Sequence, residues 1–318
     1  MPNFDVSVVG ELNLDLIFYG LPETLQLDRE HLARDLSITL GSSSAIFAHN
    51  FALLGNKVGF SSSIGSDPLG EICLQRLGES GADLSRVRRF SGKLTGLTAI
   101  LPSGNQRYIL TYPGTMFEMS YADLDLDYIL NAKHFHLSSY YLQRALRPHL
   151  ADLYRRAREA GLSTSLDTND DPEDLWATDL FQVLEYVDVF LPNQHEACRI
   201  ARTGDPHRAA EILGQIVPLV VIKRGAEGVL ARRGAETFTA PAPAIDFVDA
   251  VGAGDSFDAG FLHLFIRGAK IEDCLQFGNI TGALSATRAG GTEAFRDTAH
   301  RIRFLSDRWP SLAATNSP

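Results

Sequence analysis

No run of 18 apolar residues occurs in the 318-residue chain, so none of it is expected to take a bilayer as its solvent. Cysteine is scarce: Cys73, Cys198 and Cys274 are far apart and odd in number, which excludes a disulfide framework, suits a reducing compartment and makes them packing residues. Basic blocks are also lacking. With 39 acidic against 29 basic residues the formal charge is -10, and the short pieces "RVRR" and "YRRAR" do not make the electrostatic footprint of a nucleic-acid binder. The opening "MPNFDVSVVG" enters an apolar strand without a basic, cleavable leader, which predicts a cytoplasmic protein. No repeat or low-complexity stretch appears, and only "AATNSP" reads as a loose tail.

Familiar catalytic fingerprints are missing too. "SGKLTG" fails as a phosphate-binding Walker loop, because no glycine stands five residues ahead of Gly92 and neither Ser nor Thr follows Lys93. "GELNLD" stands where a dinucleotide fold needs G-x-G-x-x-G, and "GAGDSF" carries Phe257 in place of the third glycine, which argues against a nicotinamide or flavin enzyme. Without G-x-S-x-G, the serines of "GSSSA" and "FSSSIG" support no acyl-enzyme; Ser42 to Ser44 are read as helix caps. His134 and His136 flank Phe135 on one strand face, but no third metal ligand is placed by sequence.

What the chain has is alternation. Apolar runs such as "DVSVVG", "KVGFSSSIG", "HFHLSS", "YVDVFLPN" and "LVVIKRG" alternate with amphipathic ones such as "SAIFAHNFALLG", "PLGEICLQRLGESG" and "LYRRAREAG". That is the rhythm of a parallel sheet covered by helices, whose ligand sites lie beyond the carboxyl ends of the strands. It directs attention to Asn13, Asp15, Asp167, Asn169, Asn193, Glu196 and residues 223–228. "LNLDLIFYG", "DLSITLG" and "TGLTAILPSGNQRYILTY" break the rhythm as strands without helices, the last a hairpin around "PSGN". The expected organisation is a main α/β domain of residues 1–11, 42–93 and 114–310, a discontinuous β lid of 12–41 and 94–113, and a tail of 311–318.

"DAVGAGDSF" at 249–257 precedes an amphipathic stripe of Phe257, Phe261, Leu264 and Phe265, so its glycines sit at a helix N-terminus. Open N–H groups, the positive end of the helix dipole and absent side chains make an anion site there; the plainer reading is a tight turn with Asp255 in the first helical turn.

The stretch resembles the D-T-x-G-A-G-D-x-F signature of the PfkB, or ribokinase-like, family of carbohydrate and nucleoside kinases, matching Asp249, Gly252, Ala253, Gly254, Asp255 and Phe257. "GELNLD", "ALLGNKVGFSSSIGSDPLGE", "LPNQHEA" and "VIKRGAEGVL" are similar to further family segments in the same order. The resemblance implies a three-layer α/β/α sandwich with a mainly parallel sheet and a small β lid, and ATP-dependent phosphorylation of a hydroxymethyl group. By the same resemblance Asp255 is the general base, with an anion hole running from Gly252 through Ala253 and Gly254 to the backbone of Asp255 itself, and with Asp258 its rival. Asn13, Asp15, Gly41 and Ser42 match sugar-binding positions. Asn193, Lys223, Gly225, Gly228, Gly254 and Asn279 fall on the nucleotide side, and Glu196 matches a residue that organises Mg²⁺ through water. Asp249 and Val251, with the loop Ala289 to Thr292, match the surroundings of a monovalent cation, K⁺. The family's G-G-x-x-A-N segment is altered, with Ser42 for the second glycine and Ile46 for the asparagine, which puts the usual sugar contacts and ribose in doubt. Few arginines lie on the sugar side, Arg107 excepted, which favours an unphosphorylated acceptor; a homodimer through the lid is also implied. The alternatives are a nucleoside kinase of the same fold and a non-catalytic sugar-binding or regulatory protein.

Overall fold

The apolar segments form thirteen strands in a computed structural model that describes residues 2–103, 106–176 and 178–310. They are β1 (Phe4–Val9), β2 (Asn13–Tyr19), β3 (Asp35–Leu40), β4 (Val58–Gly65), β5 (Asp83–Phe90), β6 (Gly96–Ser103), β7 (Gln106–Tyr112), β8 (Ala132–Leu137), β9 (Ser163–Leu166), β10 (Val189–Phe190), β11 (Leu219–Lys223), β12 (Val229–Arg233) and β13 (Glu236–Ala240). Nine make the central sheet, in the order β13-β12-β11-β10-β9-β8-β1-β4-β5. Neighbours from β11 through β5 pair in parallel, and the β12 and β13 hairpin closes one edge antiparallel. The chain runs outward from β1 in both directions, so the crevice beyond β1 and β8 is the switch point where such sheets place ligands.

Eleven α-helices are described: α1 (Ser43–Leu53), α2 (Pro68–Gly78), α3 (Leu126–Ile129), α4 (Leu150–Glu159), α5 (Leu180–Leu184), α6 (Gln194–Ile200), α7 (Pro206–Leu213), α8 (Ala253–Phe265), α9 (Ile271–Ser285), α10 (Glu293–Arg296) and α11 (Thr298–Arg308). Strand alternation divides them into two layers. On β11, Val220 and Ile222 join Leu153 and Tyr154 of α4 and Leu213 of α7 in one core, while Leu219 and Val221 join Phe51 of α1, Phe261 of α8 and Leu275 of α9 in the other. The central sheet is therefore a three-layer sandwich with apolar packing on both faces. Cys73 and Cys274 are buried in the second core and all three cysteines are free, as the sequence led one to expect.

The remaining strands form a separate sheet in the order β3-β2-β6-β7. Its two antiparallel pairs are joined by a parallel pairing of β2 with β6, a register no local turn signal announced. The tip of the expected "PSGN" hairpin and the tail 311–318 lie outside the described residues. One face of this sheet carries Asp15, Ile17 and Tyr19 of β2 and Thr98 and Ile100 of β6; Ile17 and Ile100 pack on Val251. The opposite face presents Leu36, Ile38, Tyr108, Leu110 and Tyr112, each between 45% and 58% exposed.

Candidate active site

Gly252 caps α8 with φ 71°, and a β-carbon there would lie 2.5 Å from Gly291 Cα and 3.1 Å from Ile46 Cγ2. Only glycine combines that left-handed backbone with such close packing. The Ala253 N–H turns back onto Ala250 O at 3.2 Å and the Ser256 N–H onto Gly252 O at 2.9 Å. Gly254 and Asp255 are thus the residues whose N–H groups the helix start leaves open, and Ala253, expected in the anion hole, is committed to the turn. The side of Gly254 is open except toward the Lys223 ammonium, 3.5 Å from where its β-carbon would stand. Positive charge, helix dipole and bare backbone converge on this point.

Asp255 is 7% exposed, and its carboxyl is pushed up to about 7 by burial first and the Asp167 charge second, against the pull of Lys223 and a hydrogen bond from Ser43. Asp15 on β2 is likewise raised to about 7, by burial and then by Asp255 and Asp249, while Arg107 pulls it down. Asp15 on the small sheet thus senses the Asp255 carboxyl of α8 across one cleft. A β-carbon on Gly41 would collide with the Asp15 carboxylate and come within 3.0 Å of Asn13 Nδ2, so this glycine lets the two side chains stand side by side. Asn13 donates through Nδ2 to Leu14 O at 3.2 Å and Thr98 Oγ1 at 3.3 Å, and its buried Oδ1 has no partner. Ser42 caps α1: its hydroxyl donates to Glu11 O at 2.5 Å and accepts from Ala45 N at 3.2 Å.

Lys223 is largely withdrawn from solvent, its side chain 11% exposed. Its ammonium lies 2.7 Å from Asp167 and 3.0 Å from Asp258, all three side chains nearly inaccessible. Burial opposes its charge, but Asp167, Asp258 and Glu196 together hold it well above the ordinary lysine value. Three carboxyls face one ammonium, so they cannot all ionise; burial, partly offset by Lys223, pushes Asp258 well up. Asp258 is therefore held by Lys223, which sets it apart from Asp255. Asn193 and Glu196 form a reciprocal cap on α6: Asn193 Oδ1 accepts from Glu196 N at 3.0 Å, and the Glu196 carboxylate accepts from Asn193 N at 2.9 Å and from its amide. Burial and the Asp167 charge push Glu196 up to about 8.

The other nucleotide-side positions are more varied. Gly225 faces open space, whereas Gly228 abuts the backbone of Ala240 and Pro241. Asn279 donates to Ala240 O at 3.0 Å and Pro241 O at 3.1 Å, so its amide anchors the chain leaving β13. The Asp249 carboxylate accepts from Tyr19 Oη at 2.8 Å, Val251 N at 3.0 Å and Gly290 N at 3.1 Å, tying the small sheet, the start of the glycine loop and the 289–292 loop together. Among the described residues no group of three or more His, Cys, Asp or Glu side chains is arranged to hold a metal. His134 and His136 are instead bridged by Ser165 at 2.7 Å and flanked by Ser163 and Ser138, and burial pushes both well below the usual histidine value.

Several residues carried no role in the sequence. Glu11, 2% exposed at the end of β1, takes hydrogen bonds from Ser44 Oγ (2.9 Å), Ser139 Oγ (2.7 Å) and Gln143 Nε2 (2.6 Å). Its place inside "GELNLD", just after a buried strand, was the available signal. Tyr19 could have been found by counting two alternations on from Asp15 along β2.

The model of the pfkB family carbohydrate kinases matches residues 3–298. The chain is 29% identical over 308 residues, 96% of its length and 99% of the relative's, to an ATP-dependent ribose-1-phosphate kinase of Halopiger xanaduensis. It is also 29% identical over 278 residues, 86% of its length and 93% of the relative's, to a cytidine kinase of Thermococcus kodakarensis. Among solved structures, a putative ribokinase II from E. coli in complex with ATP and Mg²⁺ superimposes with a TM-score of 0.83 at 23% identity, covering 96% of this chain and 99% of that one. That likeness identifies the architecture as the ribokinase-like fold.

Proposed function

The chain belongs to the pfkB family of carbohydrate kinases, and from that premise we propose that it transfers the γ-phosphoryl group of ATP to a hydroxymethyl group of a small sugar or sugar derivative, with Asp255 as the base. The observation that carries this reading is the placing of the buried Asp255 carboxyl in the first turn of α8, beside open N–H groups and facing Asp15. An attacking hydroxyl held between the two carboxyls would lose its proton to Asp255 as its oxygen bonds to phosphorus. The Gly254 and Asp255 N–H groups would meet the charge of the transferring phosphoryl, and Lys223 would add its field from behind Gly254. The orphaned Oδ1 of Asn13 suits a second acceptor hydroxyl.

The nucleotide phosphates fit the bare backbone at Gly254 and the open ground at Gly225. The charge on those phosphates would be offset by Mg²⁺, whose water the buried, capped Glu196 would hold rather than the ion itself. Asn279 would serve the adenine side by fixing the Ala240 and Pro241 backbone. For K⁺ the fitting donors are Asp249, whose carboxylate accepts from the Val251 and Gly290 N–H groups, and the Val251 carbonyl. The small sheet would close as a lid, and its apolar outer face, Ile38 and Leu110 included, would bury against a second copy.

The test is ADP release from Mg-ATP over a panel of free sugars, sugar acids, sugar phosphates and nucleosides, in K⁺ and in tetramethylammonium, for the wild type and Asp255→Asn. Acceptor-dependent release that collapses in the variant is expected, falling when K⁺ is withdrawn. A nucleoside as the sole active acceptor would move the assignment within the family, and nucleotide binding without release over the whole panel would favour a binding role. Sedimentation of Leu110→Lys should show a monomer; an unchanged mass would remove the second copy from this face.

A further inference from the structure

Asn50 lies within α1 at 0% exposure, between the buried Phe47 and Phe51, where an amide left without partners would cost more than a leucine. Its donors point out of the helix. Nδ2 donates to Ser256 Oγ at 2.9 Å and to the Gly291 carbonyl at 3.0 Å, and Oδ1 meets His49 Nδ1 at 2.8 Å. A backbone carbonyl only accepts, so the amide nitrogen must face Gly291 and the amide oxygen must face His49, whose Nδ1 then donates. These directions hold whatever the charge of any neighbour. One acceptor, Ser256, directly follows Asp255 in the first turns of α8; the other, Gly291, lies in the loop between α9 and α10.

The same two elements also touch directly. A β-carbon on Gly252 would lie 2.5 Å from Gly291 Cα, and Ile46, one turn before Asn50 on the same side of α1, packs on both glycines. Its Cγ2 is 3.1 Å from the β-carbon position of Gly252, and its Cδ1 is 2.6 Å from that of Gly291. The Ser285 hydroxyl turns to Gly291 O as well, but at 3.3 Å, with its one proton shared with Val251 O at 3.5 Å, so the amide is the stronger holder. We propose that Asn50 and Ile46 are positioning residues for the phosphate cradle: α1 is a back plate that clamps the 289–292 loop to the start of α8 and so fixes where the Gly254 and Asp255 N–H groups point. The isoleucine of the altered "GSSSAI" segment thus packs behind the glycines, and an amide follows one turn later.

The inference rests on the start of α8 being the phosphate site, so its test includes a readout that needs no turnover. We would label the protein with nitrogen-15 glycine and follow the amide of Gly254, whose open side faces Lys223 rather than α1. Asn50→Leu, or Asn50→Ala if the larger side chain unfolds the protein, removes both arms of the clamp; Ser256→Ala removes the α8 arm alone. Each should shift the Gly254 resonance in the free protein and weaken its response to AMP-PNP with Mg²⁺. Gly204, between α6 and α7, and Gly234, between β12 and β13, should stay in place. With the acceptor found in the panel, kcat should fall about tenfold for the Asn50 variant and about threefold for Ser256→Ala, with the acceptor KM little changed. Because the two arms act as one clamp, the double variant should be no slower than the Asn50 variant. Losses that multiply in the double variant, or a Gly254 resonance unmoved by the Asn50 variant, would overturn the inference while leaving the kinase reading intact. Loss of the kinase reading would instead show as a wild type without turnover on any acceptor, and the Gly254 resonance would still decide the clamp.

Discussion

Replacing Asp255 by Asn should make the folded protein more stable, and increasingly so as pH rises. The folded carboxyl is raised from 3.8 to about 7, so the native state binds its proton more tightly than the unfolded chain does. Folding stability linked to this group is therefore fully present below 3.8 and is lost as pH rises toward 7. Integrating the linkage, the cost of holding Asp255 folded is about 2 kcal/mol at pH 5 and about 4 kcal/mol at pH 8. The Asn side chain brings its own gains and losses, but these do not vary with pH, so the robust quantity is the change between the two conditions. The variant should gain about 2 to 3 kcal/mol more relative to wild type at pH 8 than at pH 5, read from urea unfolding at both pH values. The same difference at both pH values would refute the account of Asp255 as a carboxyl desolvated for catalysis. In the wild type, the matching kinetic signature is kcat/KM falling as pH drops below about 7, because the base must be ionised.

Two further outcomes follow from the same geometry. Lys223→Met leaves Asp167 and Asp258 buried without their cation and should cost about 3 to 5 kcal/mol, seen as a lowered Tm; a loss under 1 kcal/mol would mean that water enters the cluster. Gly252→Ala combines a left-handed backbone with a 2.5 Å approach to Gly291 and should cost about 3 kcal/mol with at least tenfold in kcat, whereas Gly225→Ala, at φ 57° in open space, should cost only about 1 kcal/mol. Equal unfolding midpoints for the two variants would contradict that contrast.

Parts of this structure were legible because they are local. The helix that buries Phe257 and Phe261 follows from their spacing, and the parallel strands follow from short apolar runs such as those at β1 and β11. β5 was not legible: as an edge strand, its "DLSRVRRF" leaves most positions in solvent and carries charges that keep the edge from pairing elsewhere. β10 shrinks to two residues of a longer apolar run, since only Val189 and Phe190 meet both neighbours in register. At the site, ordered motifs brought Asp255, Asp15 and Asn193 forward. They did not foresee that Asn193 and Glu196 satisfy each other, or that Lys223 would be enclosed by Asp167 and Asp258. The partners of Glu11 lie 33 to 132 residues away in sequence, so its role exists only after the chain has folded.

The bond from Tyr19 to Asp249 gives the small sheet a mechanical grip on the chemistry. Tyr19 stands on the same strand face as Asp15, so a ligand that draws Asp15 inward moves the strand that carries the phenol. The carboxylate at the other end of that bond also holds the Val251 and Gly290 amides, and Gly252, whose backbone opens α8, follows directly. With Asp15 as the proposed acceptor contact and the start of α8 as the proposed phosphate site, the two would share one hydrogen-bonded linkage through Asp249.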